Sequence, residues 1–264
     1  MKMYTLITGG SAGIGKALAM ECAVKKMNLL IVSLPGEELK TTVNEIKSRY
    51  NIECHYLGID LAKPHAFCSV YKWVKENNFH INILINNVGV GSKGSFEQSK
   101  SCFYEKQLQL NIHAATMLTH IFLDELKANA PSHIMNTGSM GGFYTIPGKT
   151  VYAASKAYIY FFSRSLRLEL KQHNVIVSVL CPGGTDSNEK TIAINRELKG
   201  VARRSILKPE HVAKEAIDKM LKGKPRIIPG TINKIYYHIS RLVPEFVQQF
   251  LIFNAFKHVE KHKY

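Results

Sequence analysis

Short apolar runs alternate with longer stretches of helical period almost from one end of the chain to the other. Residues 3–8, 29–33, 52–59, 81–86, 133–137 and 175–181 are the short runs. Residues 14–26, 37–50, 64–76, 103–129 and 152–172 fall between them, with apolar side chains recurring every three or four positions. Leu29, Leu30, Ile31 and Val32 are consecutive rather than alternating, as in a strand covered on both faces. A helix returning the chain after each strand makes successive strands parallel. The expected fold is therefore α/β: a doubly wound parallel sheet with helices on both faces. Such a sheet binds its ligands beyond the carboxyl ends of the strands.

No linker, repeat or low-complexity run divides the 264 residues, so one domain is expected, with its core over about 3–230. Residues 209–221 read as a further helix and 226–228 as a last strand. Residues 231–264 read as a C-terminal helical extension broken near Pro244, with Ile235, Ile239, Leu242, Phe246, Phe250 and Phe253 along it. Packing on the core or on another subunit is the favoured role for that extension, ahead of contact with a membrane surface.

Cys22, Cys54, Cys68, Cys102 and Cys181 are scattered, with no C-x-x-C pair, and the histidines have no ligand-like spacing. Neither disulfides nor a metal site is expected, and a reducing cytoplasm suits such thiols. No run is long enough to span a bilayer, and residues 4–8 are needed as a core strand rather than as a removable signal. The formal charge of +15 comes without a nucleic-acid motif, so no nucleic-acid partner is expected.

The first run ends in Thr8-Gly9-Gly10-Ser11-Ala12-Gly13-Ile14-Gly15, immediately before the first helix. Glycines there permit close backbone approach, and the helix offers unpaired N–H groups to a pyrophosphate. Further along, Tyr152 and Lys156 lie four apart in a helix and share a face. Ser139 stands thirteen residues upstream of Tyr152, and Asn111 lies in the preceding helical region. A phenol with pKa about 10 is a poor base near neutrality, and a neighbouring ammonium lowers that value. Asp60 follows the third run, Asn86-Asn87-Val88-Gly89 the fourth, and Pro182-Gly183-Gly184-Thr185-Asp186-Ser187 the sixth.

Together these segments resemble the short-chain dehydrogenase/reductase family, single-domain branch: T-G-x-x-x-G-x-G, N-N-A-G with Val88 for alanine, the Asn–Ser–Tyr–Lys tetrad, and P-G-x-x-x-T with Ser187 for threonine. The resemblance implies a Rossmann-like fold and an NAD(P)-dependent oxidoreductase moving hydride between nicotinamide and a carbonyl or alcohol. It implies Tyr152 as acid/base, Lys156 as the residue that tunes it and bonds the nicotinamide ribose, Ser139 on the substrate oxygen, and Asn111 holding a water. Thr8, Gly9, Ser11, Gly13, Ile14, Gly15, Asp60, Leu61, Asn87, Val88, Gly89, Pro182, Gly183, Thr185 and Ser187 are the implied cofactor contacts, with Tyr152 and Lys156.

At the end of the second run the chain reads Val32-Ser33-Leu34, without an acid to repel a 2′-phosphate, and Ser33 can donate to one. NADP(H) is accordingly favoured over NAD(H). Ile192, Ile194, Leu198 and Val201, facing Phe143, Tyr144 and Ile146, suggest an apolar pocket and an apolar or lipid-like carbonyl or alcohol substrate, although all could be core. The resemblance also implies a homodimer or homotetramer built on helices 103–129 and 152–172. Two alternatives stand beside the enzyme: a dinucleotide-binding regulatory or structural protein, and a membrane-surface protein using its C-terminal region.

Overall fold

The computed structural model describes residues 1–92 and 94–260, with side chains except at positions 190, 194 and 255–260. Its strands are β1 (Met3–Thr8), β2 (Asn28–Ser33), β3 (Cys54–Gly58), β4 (His80–Asn86), β5 (Ser132–Thr137), β6 (Val175–Leu180) and β7 (Arg226–Ile227). They form one parallel sheet in the order β3-β2-β1-β4-β5-β6-β7. The chain runs outward from β1 to β3, then returns to place β4 on the other side of β1. That reversal opens a crevice at the carboxyl ends of β1 and β4, where loops diverge instead of crossing.

The α-helices are α1 (Gly13–Val24), α2 (Glu37–Arg49), α3 (Ala66–Glu76), α4 (Ser101–Leu108), α5 (Ala114–Ile121), α6 (Leu123–Ala128), α7 (Thr150–Glu169), α8 (Glu189–Arg196), α9 (Gly200–Arg204), α10 (Pro209–Leu221), α11 (Thr231–Ser240) and α12 (Glu245–Glu260). Consecutive apolar residues in the strands feed both sides of the sheet. Leu29 and Ile31 of β2 pack with Leu18 of α1, Val43 of α2 and Ile217 of α10. Leu30 and Val32 pack with Val70 of α3 and Leu118 of α5. Side chains alternate across a strand, so an unbroken apolar run needs a helical layer on each face.

The helical stretch 103–129 differs from its expected continuity. It is divided into α4, a π turn over Gln109–His113, α5 and α6. Gln107, Asn111, Ala114, Ala115 and Leu118 are all buried, so the same face turns inward on both sides of the π turn and the sequence period runs through it. α3 starts two residues later than its expected first position, Pro64, because His65 is in the left-handed conformation, φ 55°. The region after Ser187 holds two short helices, α8 and α9, that weak periodicity concealed.

The C-terminal extension packs on the core in part. α11 docks through Asn233 and Tyr237, both buried. In α12, Phe246, Phe250, Leu251 and Phe253 are exposed.

Candidate active site

The glycine turn is built so tightly that side chains would destroy it. A Cβ on Gly15 would lie 1.9 Å from the Gly9 carbonyl oxygen, and one on Gly9 3.1 Å from Val88 Cα. Gly9 and Gly13 also adopt positive φ, 67° and 53°, which glycine accepts without strain. α1 begins after Ala12 with no side-chain cap and no acid in its first turn. Its first N–H groups and the positive end of its dipole are thus left for an anion from outside. These features fit the pyrophosphate of a dinucleotide, with Gly9, Ser11, Gly13, Ile14 and Gly15 at the contact.

Thr8 and Asn87 hold that turn against β4. Thr8 Oγ1 accepts from the main-chain N–H groups of Asn87 and Val88 at 3.0 and 3.2 Å. The Asn87 amide donates to the carbonyls of Thr8 and Gly9 at 3.2 and 3.3 Å. Both side chains are thereby committed to the protein itself. Ser11 and Ser33 hydroxyls meet at 2.7 Å where β2 ends. Asp60 Oδ1 accepts from the Ala62 N–H at 3.0 Å, fixing the loop after β3, while the Leu61 side chain is buried in the core.

The structure brings the expected tetrad residues together. Ser139 ends the segment after β5, and its hydroxyl accepts from the Gly141 N–H at 3.0 Å while hydrogen-bonding the Tyr152 phenol. Lys156, one turn along α7 from Tyr152, donates to the Thr137 carbonyl at 2.8 Å. Its Nζ lies 5.9 Å from the centre of the Tyr152 ring. Asn111 sits in the π turn; such turns often mark functional sites because they re-aim one residue without ending the helix. Its side chain accepts from the Val90 N–H (2.8 Å) and donates to the Val90 carbonyl (3.1 Å) and Ser155 Oγ (3.0 Å). A Cβ on Gly89 would fall 2.8 Å from Asn111 Oδ1 and 3.4 Å from Lys156 Nζ. Glycine at 89 therefore lets the turn after β4 run between them.

Burial controls the titration of both central groups. It pushes the Lys156 ammonium down to about 8. It also pushes the Tyr152 phenol above its ordinary value, and the bond from Ser139 draws it part of the way back. The lowering of the phenol by Lys156 that the sequence suggests is absent, and burial sets the direction of the shift. A pH dependence of stability follows. Between about 8 and 10.5 the unfolded chain binds a proton at this lysine that the folded chain has released, so stability rises with pH in that window. Below about 8 both states are charged and the full cost of burial is present. Denaturant unfolding of the wild type against Lys156→Met should show the wild type gaining about 1 kcal/mol per pH unit between pH 8 and 10. A constant difference would place the titration elsewhere.

The Pro182–Ser187 loop closes the site from the β6 side. Pro182 accepts from the Met140 N–H at 2.9 Å, which ties the loop to the Ser139 segment. A Cβ on Gly13 would stand 3.1 Å from the Ser187 carbonyl oxygen, so this loop and the glycine turn touch. Thr185 is nearly buried and bridges to Leu207 beyond α9. Asp186 holds the intervening helices, accepting from Asn195 at 2.8 Å and from Arg203 at 3.3 Å.

The expected apolar wall is assembled only in part. Ile146 Cδ1 and the Tyr152 ring both border Gly141. Phe143 and Tyr144 turn away into a ring cluster, with Phe143 4.8 Å from Tyr237, and the Tyr144 hydroxyl is 3.0 Å from that of Ser240. They follow Ser139 in sequence but serve as the seat of α11. Leu198 and Val201 are exposed, Ile192 is half-buried, and the Ile194 side chain lies outside the described residues.

Sequence reasoning missed several supports. Ser155 bonds Asn111 and accordingly fixes the π turn to α7; its place beside Lys156 was the available signal. Gly142 lets its segment lie on α7, since a Cβ there would be 2.7 Å from the Lys156 carbonyl carbon. Asn233 packs on Gly183 from fifty residues downstream, and no local pattern announces it.

The sequence profile of the short chain dehydrogenase family matches residues 3–197. A very-long-chain 3-oxoacyl-CoA reductase of Vanderwaltozyma polyspora is 34% identical over 188 residues, covering 67% of this chain and 54% of that protein. A 3-oxoacyl-(acyl-carrier-protein) reductase of Aquifex aeolicus is 27% identical over 195 residues, 74% of this chain and 78% of its own length. The chain thus spans little more than half the length of the very-long-chain reductases it matches. Among solved structures, a short-chain dehydrogenase from Sphingobium yanoikuyae in complex with NADPH superposes with a TM-score of 0.80 at 25% identity, covering 91% of this chain and 92% of that one.

Proposed function

The chain belongs to the short-chain dehydrogenase/reductase family, and on that premise we propose that it is a nicotinamide-dependent oxidoreductase acting on a carbonyl compound or the corresponding alcohol. One observation carries the reading: the Ser139–Tyr152–Lys156 group and the uncapped glycine turn meet around the Val88–Gly89 segment at the sheet's switch point.

The nicotinamide, when bound, supplies or accepts the hydride. Tyr152 gives its phenolic proton to the carbonyl oxygen in reduction and takes the proton back in oxidation. Ser139 donates to the same oxygen and stabilises its growing charge. Lys156 would hydrogen-bond the nicotinamide ribose and, when charged, would favour the phenolate of Tyr152. The Asn111 side chain is committed to Val90 and Ser155, and its assigned role is to hold a water behind Lys156. Asp60 and Leu61 would hold the adenine, Val88 and Gly89 the neighbouring ribose, and Pro182, Gly183, Thr185 and Ser187 the carboxamide.

NADP(H) is the favoured cofactor, because the paired hydroxyls of Ser11 and Ser33 can donate to a 2′-phosphate and β2 ends without a carboxylate. Ser33→Asp should raise the Kd for NADPH roughly 10- to 100-fold through like-charge repulsion while leaving NADH binding intact or tighter. Titration by nicotinamide fluorescence measures both; equal effects on the two would move the phosphate site away from Ser33.

An apolar or lipid-like substrate is supported by Ile146 beside Tyr152 and by acyl-chain reductases among the relatives. The five free thiols suit a cytoplasmic setting. Leu108 on α4 and Tyr158, Phe161 and Leu168 on α7 are exposed, which supports pairing of subunits across those helices. The deciding experiment is NADPH and NADH binding by the purified chain, followed by a carbonyl panel that includes 3-oxoacyl thioesters. Binding with turnover establishes the enzyme. Binding without turnover of any member favours a dinucleotide-dependent regulator, and no binding of either cofactor overturns the reading.

A further inference from the structure

α11, α12 and the turn between them expose a series of large apolar side chains. α11 is seated by Tyr237 among the rings of Phe143 and Tyr160, and by Asn233, whose amide donates to the carbonyls of Ser205 and Pro229 at 3.1 and 3.0 Å. Ile235 and Ile239 lie on its outer side and are exposed. Leu242, between the two helices, is 85% exposed. In α12 the Gln248 amide donates back to the carbonyls of Ser240 and Val243 at 2.7 and 2.8 Å, which ties the start of the helix to the end of α11. With about 100° per residue, Phe246, Phe250 and Phe253 fall on the face opposite Gln248. They are 73%, 65% and 57% exposed.

The stretch of chain that carries this surface is net basic. Residues 196–264 hold 15 Lys and Arg against six Asp and Glu, a net +9 of the chain's +15. Glu245 is the one acid between Asp218 and Glu260, a span that holds seven Lys and Arg. Arg204 borders the first turn of α11, lining a cavity with Thr231, Ile232 and Asn233. A two-fold contact between copies through this surface would set one cationic region against another, which opposes self-association there. Exposed phenylalanines on a net basic segment have their match in an anionic bilayer: the rings enter the acyl boundary and the basic residues of the segment are drawn to the headgroups. No helix among the described residues is long and apolar enough to cross a membrane, so such contact is with one face.

We propose that the outer surface of α11 and α12 docks the protein on an anionic lipid surface. The proposal goes beyond the oxidoreductase reading and does not depend on it. It adds a consequence for that reading: the side chain of Asn233 packs on Gly183 and bonds Ser205, so the docked helix is in direct contact with the loop after β6 and with the end of α9. A bilayer-dissolved carbonyl compound would then be presented beside the loops that close the site.

The test is co-flotation of the full chain with vesicles at about 0.15 M salt. Vesicles rich in phosphatidylserine are compared with phosphatidylcholine alone, for the wild type and for Phe246→Glu/Phe250→Glu. NADPH affinity and thermal unfolding report whether the fold is intact, and light scattering reports mass. The wild type should favour the anionic vesicles by roughly tenfold or more. The double variant should lose that binding while keeping wild-type NADPH affinity, melting temperature and mass. A wild type that stays in solution with both vesicles overturns the proposal, as does a folded variant that floats equally well. Loss of oligomer mass in the variant, with no flotation of the wild type, overturns it in favour of a subunit contact. Failure of NADPH binding in both proteins would strike the oxidoreductase reading and leave the flotation result standing.

Discussion

Tyr152→Phe is expected to lower kcat by roughly 10²- to 10⁴-fold while leaving the Kd for NADPH within about twofold of wild type. The substitution removes one hydroxyl and keeps the ring that borders Gly141 and Ile146. Ser139 loses that partner but retains the Gly141 N–H, so no new unpaired group is buried. The glycine turn that receives the pyrophosphate lies on other elements and is untouched. Steady-state kinetics on the best substrate of the carbonyl panel, with a parallel fluorescence titration of NADPH, separates the two effects. Turnover within tenfold of wild type would remove Tyr152 from its assigned role. A parallel collapse of NADPH binding would make the residue a structural support.

Gly15→Ala should be as damaging by the opposite route. Its methyl group would sit 1.9 Å from the Gly9 carbonyl oxygen and 2.5 Å from Asn87 Nδ2, both inside van der Waals contact. Either α1 withdraws or the turn opens and breaks the bonds that Asn87 makes to Thr8 and Gly9. The expected cost is about 1–3 kcal/mol of stability, as for other overpacked sites. Cofactor affinity should fall roughly 100-fold, about 2.7 kcal/mol. Gly91→Ala is the control, since a Cβ there meets nothing within 4 Å. Thermal unfolding with and without NADPH reads both quantities. If Gly15→Ala bound NADPH as tightly as Gly91→Ala, the turn would not be the cofactor site.

The features legible in the sequence are those whose cause is local. Continuous apolar strands, the glycines before α1 and the four-residue step from Tyr152 to Lys156 each carry their geometry within a few residues. The π turn at Asn111 was hidden because its buried face continues into α4 and α5. Phe143 and Tyr144 read equally as substrate wall or as core from the sequence. Their true neighbour, Tyr237, lies more than ninety positions away, and sequence proximity cannot weigh that contact. The fate of α12 was equally closed to periodicity. A row of phenylalanines reads the same whether another part of the chain covers it or not.

The bonds from Thr8 to Asn87 and Val88 carry a temporal consequence. They join residues 79 and 80 positions apart in the chain. A nascent chain that had delivered only β1, α1 and β2 would already contain every glycine of the turn, yet would lack the groups that hold it in shape. Cofactor cannot therefore guide the earliest folding events. It can act only after β4 has found β1, and it then stabilises the completed crevice by mass action. During synthesis, competence to bind should be absent until the polypeptide beyond residue 88 has cleared the ribosome, rather than growing as the first strands emerge.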